Sequence, residues 1–347
     1  MPWSRREPVV TPRVRLLAFV VIVVALVVAA GVYAVTEGRE VRAQRSAEPE
    51  VPQTPVVSVV DEPRIAFRHT GLDNEYGTVA VVPLDDPGGA RAFTDVACAR
   101  VAARAEGASC LVTDAGVTTT FEVQELDADW NEVSSTPLPG VPSRTRLSPD
   151  GTLVATTVFV SGHSYMSTGF STATEVHEFG GGTRWGNLEK FDLVLDGRPV
   201  NPVDRNIWGV TFADDETFYA TAATGGRTWL VEGDLTERTL TSVSADAECP
   251  ALSPDGSRVA FKVDVDPGRA VVWQIAVQDL ATGERTLLER GPRGLDDQVE
   301  WLDDDTVIYG MPRTDEPGVT DVWSVDTTTD AAPELLIEQA WSATVVR

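Results

Sequence analysis

The chain of 347 residues carries a formal net charge of −25, with 53 Asp and Glu against 28 Lys and Arg. A surface this acidic repels phosphate backbones and anionic headgroups, which argues against a nucleic-acid partner and leaves solubility or a cationic partner as the use of the charge. The charge is unevenly placed: the first fifteen residues hold Arg5, Arg6, Arg13 and Arg15 against the single acid Glu7.

Leu16 to Val35 follows as an uninterrupted apolar run without a charge. At about 1.5 Å of rise per residue, such a run spans the hydrocarbon layer of a bilayer. Basic flanks stay on the cytoplasmic side, so residues 1–15 are expected inside as a short tail and everything after residue 35 outside, at the cell membrane. Small residues at Ala29, Ala30 and Ala34 also fit a cleaved leader, although an apolar stretch this long favours a retained single-pass anchor. Either reading exports the rest of the chain. A tail of fifteen residues is too small for an output domain, which argues for a passive anchor over a transmembrane sensor.

Residues 36–60 are polar and contain Pro49, Pro52 and Pro55, so they read as a solvated linker. From 61 to 347 the sequence resembles itself. Leu147-Ser148-Pro149-Asp150-Gly151 and Leu252-Ser253-Pro254-Asp255-Gly256 are near-copies, each a tight turn between alternating apolar strands. Looser copies start at Val101, Phe212 and Leu302, and the five anchors are spaced 46, 65, 40 and 50 residues apart. A four-stranded propeller blade needs about 40 to 50 residues. Trp229, Trp273 and Trp323 recur in the third strand of successive units, Trp273 and Trp323 each 21 residues after the anchor. A Trp flanked by apolar residues at a repeated position reads as packing between blades rather than as a sugar platform. Polar fourth strands, as at Thr239 to Ser242 and Arg285 to Leu288, suit the outer rim.

The ends define the blade count. Arg64 to Arg68 looks like a second strand without a first, and Trp341 to Val346 is a first strand without a second. Joining them closes a ring and removes free sheet edges. The expectation is an all-β, six-bladed β-propeller of four-stranded blades with the C-terminal strand completing blade 1, preceded by one transmembrane helix, and monomeric.

On these motifs the region from 60 to 347 resembles TolB-like six-bladed propellers. More narrowly it resembles membrane-anchored TolB-like proteins of actinobacteria, in Gly162-His163-Ser164-Tyr165, Trp208 to Phe212, Cys249 to Gly256 and Asp296 to Trp301. TolB proteins are periplasmic interaction modules, so the resemblance implies partner binding. The anchor, and the lack of an obvious separate α/β domain, depart from TolB itself.

No Gly-x-Ser-x-Gly elbow, His-Glu-x-x-His, Cys-x-x-Cys, phosphate loop or EF-hand is present. Cys98 and Cys110 are the plausible disulfide pair across a hairpin, an export-compatible feature, and leave Cys249 over. The 65-residue spacing after Leu147 implies an insertion between Ser161 and Asn201. Long loops on rigid scaffolds commonly carry function, and this one holds His163, Ser164, Tyr165, His177, Arg184, Trp185 and the run Gly180-Gly181-Gly182. Asp296 and Asp297 precede an innermost strand and are expected to face the channel. Two His are too few for a zinc site, so no metal site is assigned. Calcium at the acidic clusters Asp214-Asp215-Glu216 and Asp303-Asp304-Asp305 is a weak alternative to solvated turns, and no cofactor is expected. The favoured function is a non-enzymatic binding or scaffolding module for a cell-envelope protein or peptide. The alternative is a propeller lyase or hydrolase with His163 and Asp297 as acid and base at the channel mouth.

Overall fold

The computed structural model describes residues 12–44, 46–60, 62–160, 171–266, 271–288, 295 and 297–347. A single helix, Pro12–Gln44, precedes the sheets and contains the window Phe19–Thr36, which is long and apolar enough to cross a bilayer. Its Val- and Ile-rich sequence is a modest helix former in water. Hydrocarbon, however, demands that every backbone group be satisfied within the segment. Thr36 obeys the same rule, its hydroxyl donating to the Val32 and Tyr33 carbonyls at 3.1 and 2.9 Å.

The expected linker 36–60 is corrected at both ends. The helix continues to Gln44, and residues from Pro52 onward lie against the first blade. There the Thr54 amide donates to the Arg91 carbonyl at 3.0 Å, and the Arg91 amide donates to Pro52 at 2.9 Å. A 3₁₀ turn, Val56–Ser58, then places Val59 at 3% exposure beside Ala66 and Val79.

Six sheets follow, antiparallel but for one parallel pairing, and their innermost strands neighbour one another in a closed ring. Those inner strands are Ala340–Val346, Arg100–Arg104, Val141–Leu147, Asn206–Phe212, Glu248–Leu252 and Glu300–Trp301, for blades 1 to 6. Blade 1 is closed as expected: Arg64–His69 pairs with Ala340–Val346, from Arg64 opposite Val346 to His69 opposite Ala340.

The Leu-Ser-Pro-Asp-Gly turns explain themselves chemically. The Ser148 hydroxyl donates to Asp150 at 2.5 Å and accepts from the Leu153 amide at 2.9 Å, and Ser253 does the same with Asp255 and the Arg258 amide at 2.6 and 3.0 Å. Gly151 and Gly256 follow at φ of 74° and 72°, a conformation that disfavours a side chain. The hydrogen bonds from Ser253 and Ser257 hold the Asp255 carboxyl down at about 2.

Apolar clusters sit between neighbouring blades. Trp229 is buried between blades 3 and 4, while Trp323 packs against the cluster between blades 5 and 6. The seam between blades 2 and 3 differs: its apolar cluster is only Ala102, Leu147 and Val154, with Phe179 against it. Polar groups fill the remainder, Ser109 to Thr145 at 2.6 Å and Glu125 to His177 at 2.6 Å.

Part of the insertion after Leu147 extends the fourth blade. Asp192–Leu195 and Arg198–Val200 add two strands to blade 4, the first running parallel to Thr239–Ala245. That six-stranded sheet corrects the uniform four-stranded expectation for one blade, and it moves Thr239 to Ser242 from the rim to an interior position.

Candidate functional site

The bore is defined by residues that alternate inward on the six inner strands. From blade 2 come Arg100 and Arg104, from blade 3 Arg144 and Arg146, and from blade 6 Glu300, with Asp297 on the segment that leads into that strand. Arg100 donates to Asp297 at 2.9 Å, and Arg144 faces the same carboxylate at 3.7 Å. Arg146 pairs with Glu300 and also donates to the Val299 carbonyl at 3.1 Å. Blades 3 and 6 are opposite in a ring of six, so these bonds cross the bore.

The segment from Asp297 to Trp301 ties the ring together. Gln298 donates to the carbonyls of Pro250 in blade 5 and Val210 in blade 4, at 2.8 and 3.3 Å. Trp301 donates its indole N–H to Ala251 at 2.8 Å. Gly209, at φ 67°, lets blade 4 approach blade 5 so closely that an added Cβ would lie 2.7 Å from the Cys249 Cα. Burial pulls the Arg100 and Arg146 guanidinium groups down to about 10 and about 9, against the opposing pull of Asp297, and both stay charged at neutral pH.

Two recesses of about 440 Å³ each flank this crossing. One, where the inner strands begin, is lined by Arg144, Phe159, Trp208, Cys249, Lys262 and Trp273. Lys262 stacks its ammonium over Trp273 at 4.9 Å there. The other, where the inner strands end, holds Arg104, Arg146, Arg347, Glu106 and Glu300. Arg104 donates to the carbonyls of Ala103 and Val345 at 3.0 and 3.3 Å, and it has no ion-pair partner among the described residues.

Of the residues singled out by sequence, His163, Ser164, Tyr165 and Asp296 lie outside the described residues. Asp297 is in the bore, 4% exposed, but as the partner of arginines and not as part of an acidic site. His177 is not on a loop: it belongs to the strand Ser171–Glu178 and is 2% exposed in the seam between blades 2 and 3. Burial alone would raise the Glu125 carboxyl, yet donors from His177, the Gly180 amide and Ser134 outweigh it and hold Glu125 below the usual range. Arg184 is exposed on the outer strand Arg184–Asn187 and meets Glu175 at 3.2 Å. Trp185 packs against the cluster between blades 3 and 4, and its carbonyl accepts from Arg238 at 2.6 Å. The structure therefore keeps Asp297 apart from the other three: His177 and Arg184 are partners across two strands of blade 3, with Trp185 beside them, but His177 is buried in the seam while Arg184 is exposed.

Cys98 and Cys110 form a disulfide with Cα atoms 5.4 Å apart. Cys110 is paired in register with Val101, so the bridge reaches back to the connection before the strand and does not join directly opposed residues. Cys249 is free and buried. Among the described residues no three His, Cys, Asp or Glu side chains converge to hold a metal ion. The acidic turns instead cap themselves, Asp214 accepting from the amides of Glu216 and Thr217, and Asp303 from those of Asp305 and Thr306.

Sequence reasoning missed a further carboxylate drawn in between blades, Glu189. It accepts from Thr172 Oγ1 at 2.8 Å and from the amides of Thr174 and Ile207 at 3.1 and 3.3 Å, clasping blades 3 and 4. Burial pushes its carboxyl up to about 7, even though those hydrogen bonds favour the ionised form.

No protein-family model matches the sequence, and no curated protein matches it. Solved structures do match in shape. TolB from Acinetobacter baumannii aligns with a TM-score of 0.56 at 16% identity, over 82% of this chain and 67% of that one. The chain is TolB-like in fold. A chain of a nidogen/laminin complex aligns almost as well, with a TM-score of 0.54 at 13% identity over 82% of this chain and 98% of that one. At such identities the likeness concerns the six-bladed architecture, and the TolB-like propeller here carries its own set of bore residues.

Proposed function

We propose that the chain is a membrane-tethered, extracytoplasmic binding module, without catalytic activity of its own, that presents one mouth of its propeller bore to a cell-envelope protein or peptide. The observation that carries this reading is the bore itself: guanidinium groups from blades 2 and 3, held against Asp297 and Glu300 of blade 6, in a chain whose overall charge is −25. Arginines gathered along the bore of an otherwise acidic chain are a localised recognition feature. The apolar helix supplies the tether, and the disulfide is consistent with an oxidising compartment. One structural neighbour comes from a protein–protein complex, which also favours binding.

The enzymatic alternative needs a free acid/base pair beside a cavity. Asp297 is engaged by two arginines, and the Glu125–His177 pair is enclosed between blades at 2 and 2% exposure.

The test is site-specific photocrosslinking in intact cells from position 106, at the Arg104 mouth, and from position 184, on the outer rim of blade 3. A discrete adduct from 106 that is missing from 184 supports the reading. Equal labelling from both positions, or none from 106, overturns it.

A further inference from the structure

We infer that the recess at the end of the inner strands is an anion site for a single carboxylate group, with Arg104 as its principal ligand and Arg146 and Arg347 flanking it. This rests on the reading of the bore as the binding site and names the chemistry of what enters it.

The bore arginines are not equally satisfied. Arg100 and Arg144 share Asp297, and Arg146 has Glu300. Arg104 is left with two backbone carbonyls, Ala103 and Val345, and forms no ion pair among the described residues. Burial first and the Arg347 cation second pull its guanidinium down to about 10, against a weaker opposing pull from Glu106 at the rim. Arg347 is likewise without an ion pair among the described residues and donates to the Leu302 carbonyl. A guanidinium removed from water costs free energy until an anion meets it, so Arg104 stands ready for one. The planar fork of a guanidinium matches the two oxygens of a carboxylate.

The surroundings select among anions. Glu106 and Asp255 stand exposed at the rim and Glu300 lies inside, so a dianion such as phosphate meets repulsion that one carboxylate largely escapes. Asp255 is also occupied, accepting from Ser253 and Ser257 at 2.6 and 2.7 Å. The recess holds about 440 Å³, far more than a carboxylate needs. Leu147, Phe212 and Trp301 add apolar wall, which suits a carboxylate carried on a peptide side chain or on a small free acid.

The test uses the full chain in detergent and titrates four probes by thermal shift and isothermal calorimetry: N-acetyl-glutamate α-methylamide, its glutamine counterpart, butyrate and inorganic phosphate. The capped glutamate should bind, the glutamine form should not, and Arg104→Met should weaken binding about ten-fold or more, the range for a lost hydrogen bond to a charged group. Tighter binding of the capped glutamate than of butyrate identifies a peptide side chain as the source, and the reverse identifies a free acid. Should Arg104→Met fail to fold, Arg347→Gln at the exposed end of the last strand should weaken binding several-fold, whereas Arg184→Gln on the outer rim should leave it unchanged. Equal binding of the glutamine form, phosphate binding as tightly as the carboxylates, or unchanged affinity in both bore variants overturns the inference. A position-106 adduct without carboxylate binding would sink only this inference, and carboxylate binding without the adduct would sink only the proposed function.

Discussion

Replacing Asp297 by Asn preserves the shape of the side chain and deletes one negative charge from the middle of the bore. Asp297 is 4% exposed, accepts from Arg100 at 2.9 Å and faces Arg144 at 3.7 Å. At an effective dielectric constant of about 20, unit charges about 4 Å apart interact by about 4 kcal/mol, and two guanidinium groups would lose that compensation together. Part is regained because Asn still accepts a hydrogen bond and Arg100 still stacks over Trp341 at 4.7 Å. The expected cost is about 3 to 5 kcal/mol, the range for removing one partner of a buried ion pair. For a domain of this size that lowers the melting temperature by roughly 6 to 15 °C. Differential scanning calorimetry of the full chain in detergent reads the shift. The double variant Asp297→Asn with Arg100→Gln should recover at least about 1 kcal/mol relative to additivity, since the two side chains are in direct contact. Asp305→Asn provides the control: its carboxylate is 63% exposed beside Arg258, so its loss should cost under about 1 kcal/mol. A loss below about 1 kcal/mol for Asp297→Asn, or strict additivity in the cycle, would refute the account of the bore as a tightly coupled ionic plug.

Removing the disulfide with Cys98→Ala and Cys110→Ala should cost about 3 kcal/mol, the loop entropy of a 12-residue separation, read by denaturant unfolding with and without reductant. A loss near zero would mean that the bridge leaves the unfolded chain unrestricted. His177→Ala should cost about 2 to 4 kcal/mol, because it opens space in the seam between blades 2 and 3 and strips Glu125 of a donor; an unaffected melting temperature would contradict the enclosed pair. Glu189 sets a pH dependence: its folded carboxyl titrates at about 7 against 4.5 when unperturbed. Its contribution to stability is complete below pH 4.5 and is lost as pH rises through 7, and Glu189→Gln should flatten melting temperature against pH between those values. Superimposable slopes for the two proteins would exclude that assignment.

The parts of the fold legible in the sequence are those specified by short-range chemistry. Ser148 and Ser253 bind both their own Asp and the amide five residues on, so the same letters recur wherever that turn is built. The closing strand was legible for a different reason: Arg64–His69 lacks an inner neighbour in its own stretch of chain, and Ala340–Val346 supplies it. What stayed hidden depends on pairings that no local pattern encodes. The strand Asp192–Leu195 joins blade 4 by a parallel pairing with Thr239, Leu240 and Thr241, so from spacing alone it looked like loop. His177 sits three residues before a Gly run that also reads as loop, although Ser171–Glu178 pairs with Leu153–Val160 along its whole length and the glycines merely turn the hairpin. The arginines of the bore left one faint signal, their crowding at 100, 104, 144 and 146 in a chain that is otherwise acidic. Knowing that these positions face Asp297 required the ring.

Ring closure and the bore are one mechanical unit. The Ser342 hydroxyl exchanges hydrogen bonds with the amide and carbonyl of Val101 at 3.2 and 3.1 Å, and Thr344 lies 3.4 Å from both polar groups of Ala103. The C-terminal strand therefore grips the strand that carries Arg100 and Arg104. It also supplies Trp341 beneath Arg100 and the Val345 carbonyl to Arg104. An anion bound at Arg104 would engage a guanidinium whose position exists only while that strand is seated. Binding to the native state alone stabilises it by an amount that grows with the logarithm of ligand concentration. A partner that fills the recess accordingly strengthens the closure of the propeller, and loosening the last strand weakens the partner's grip by the same coupling.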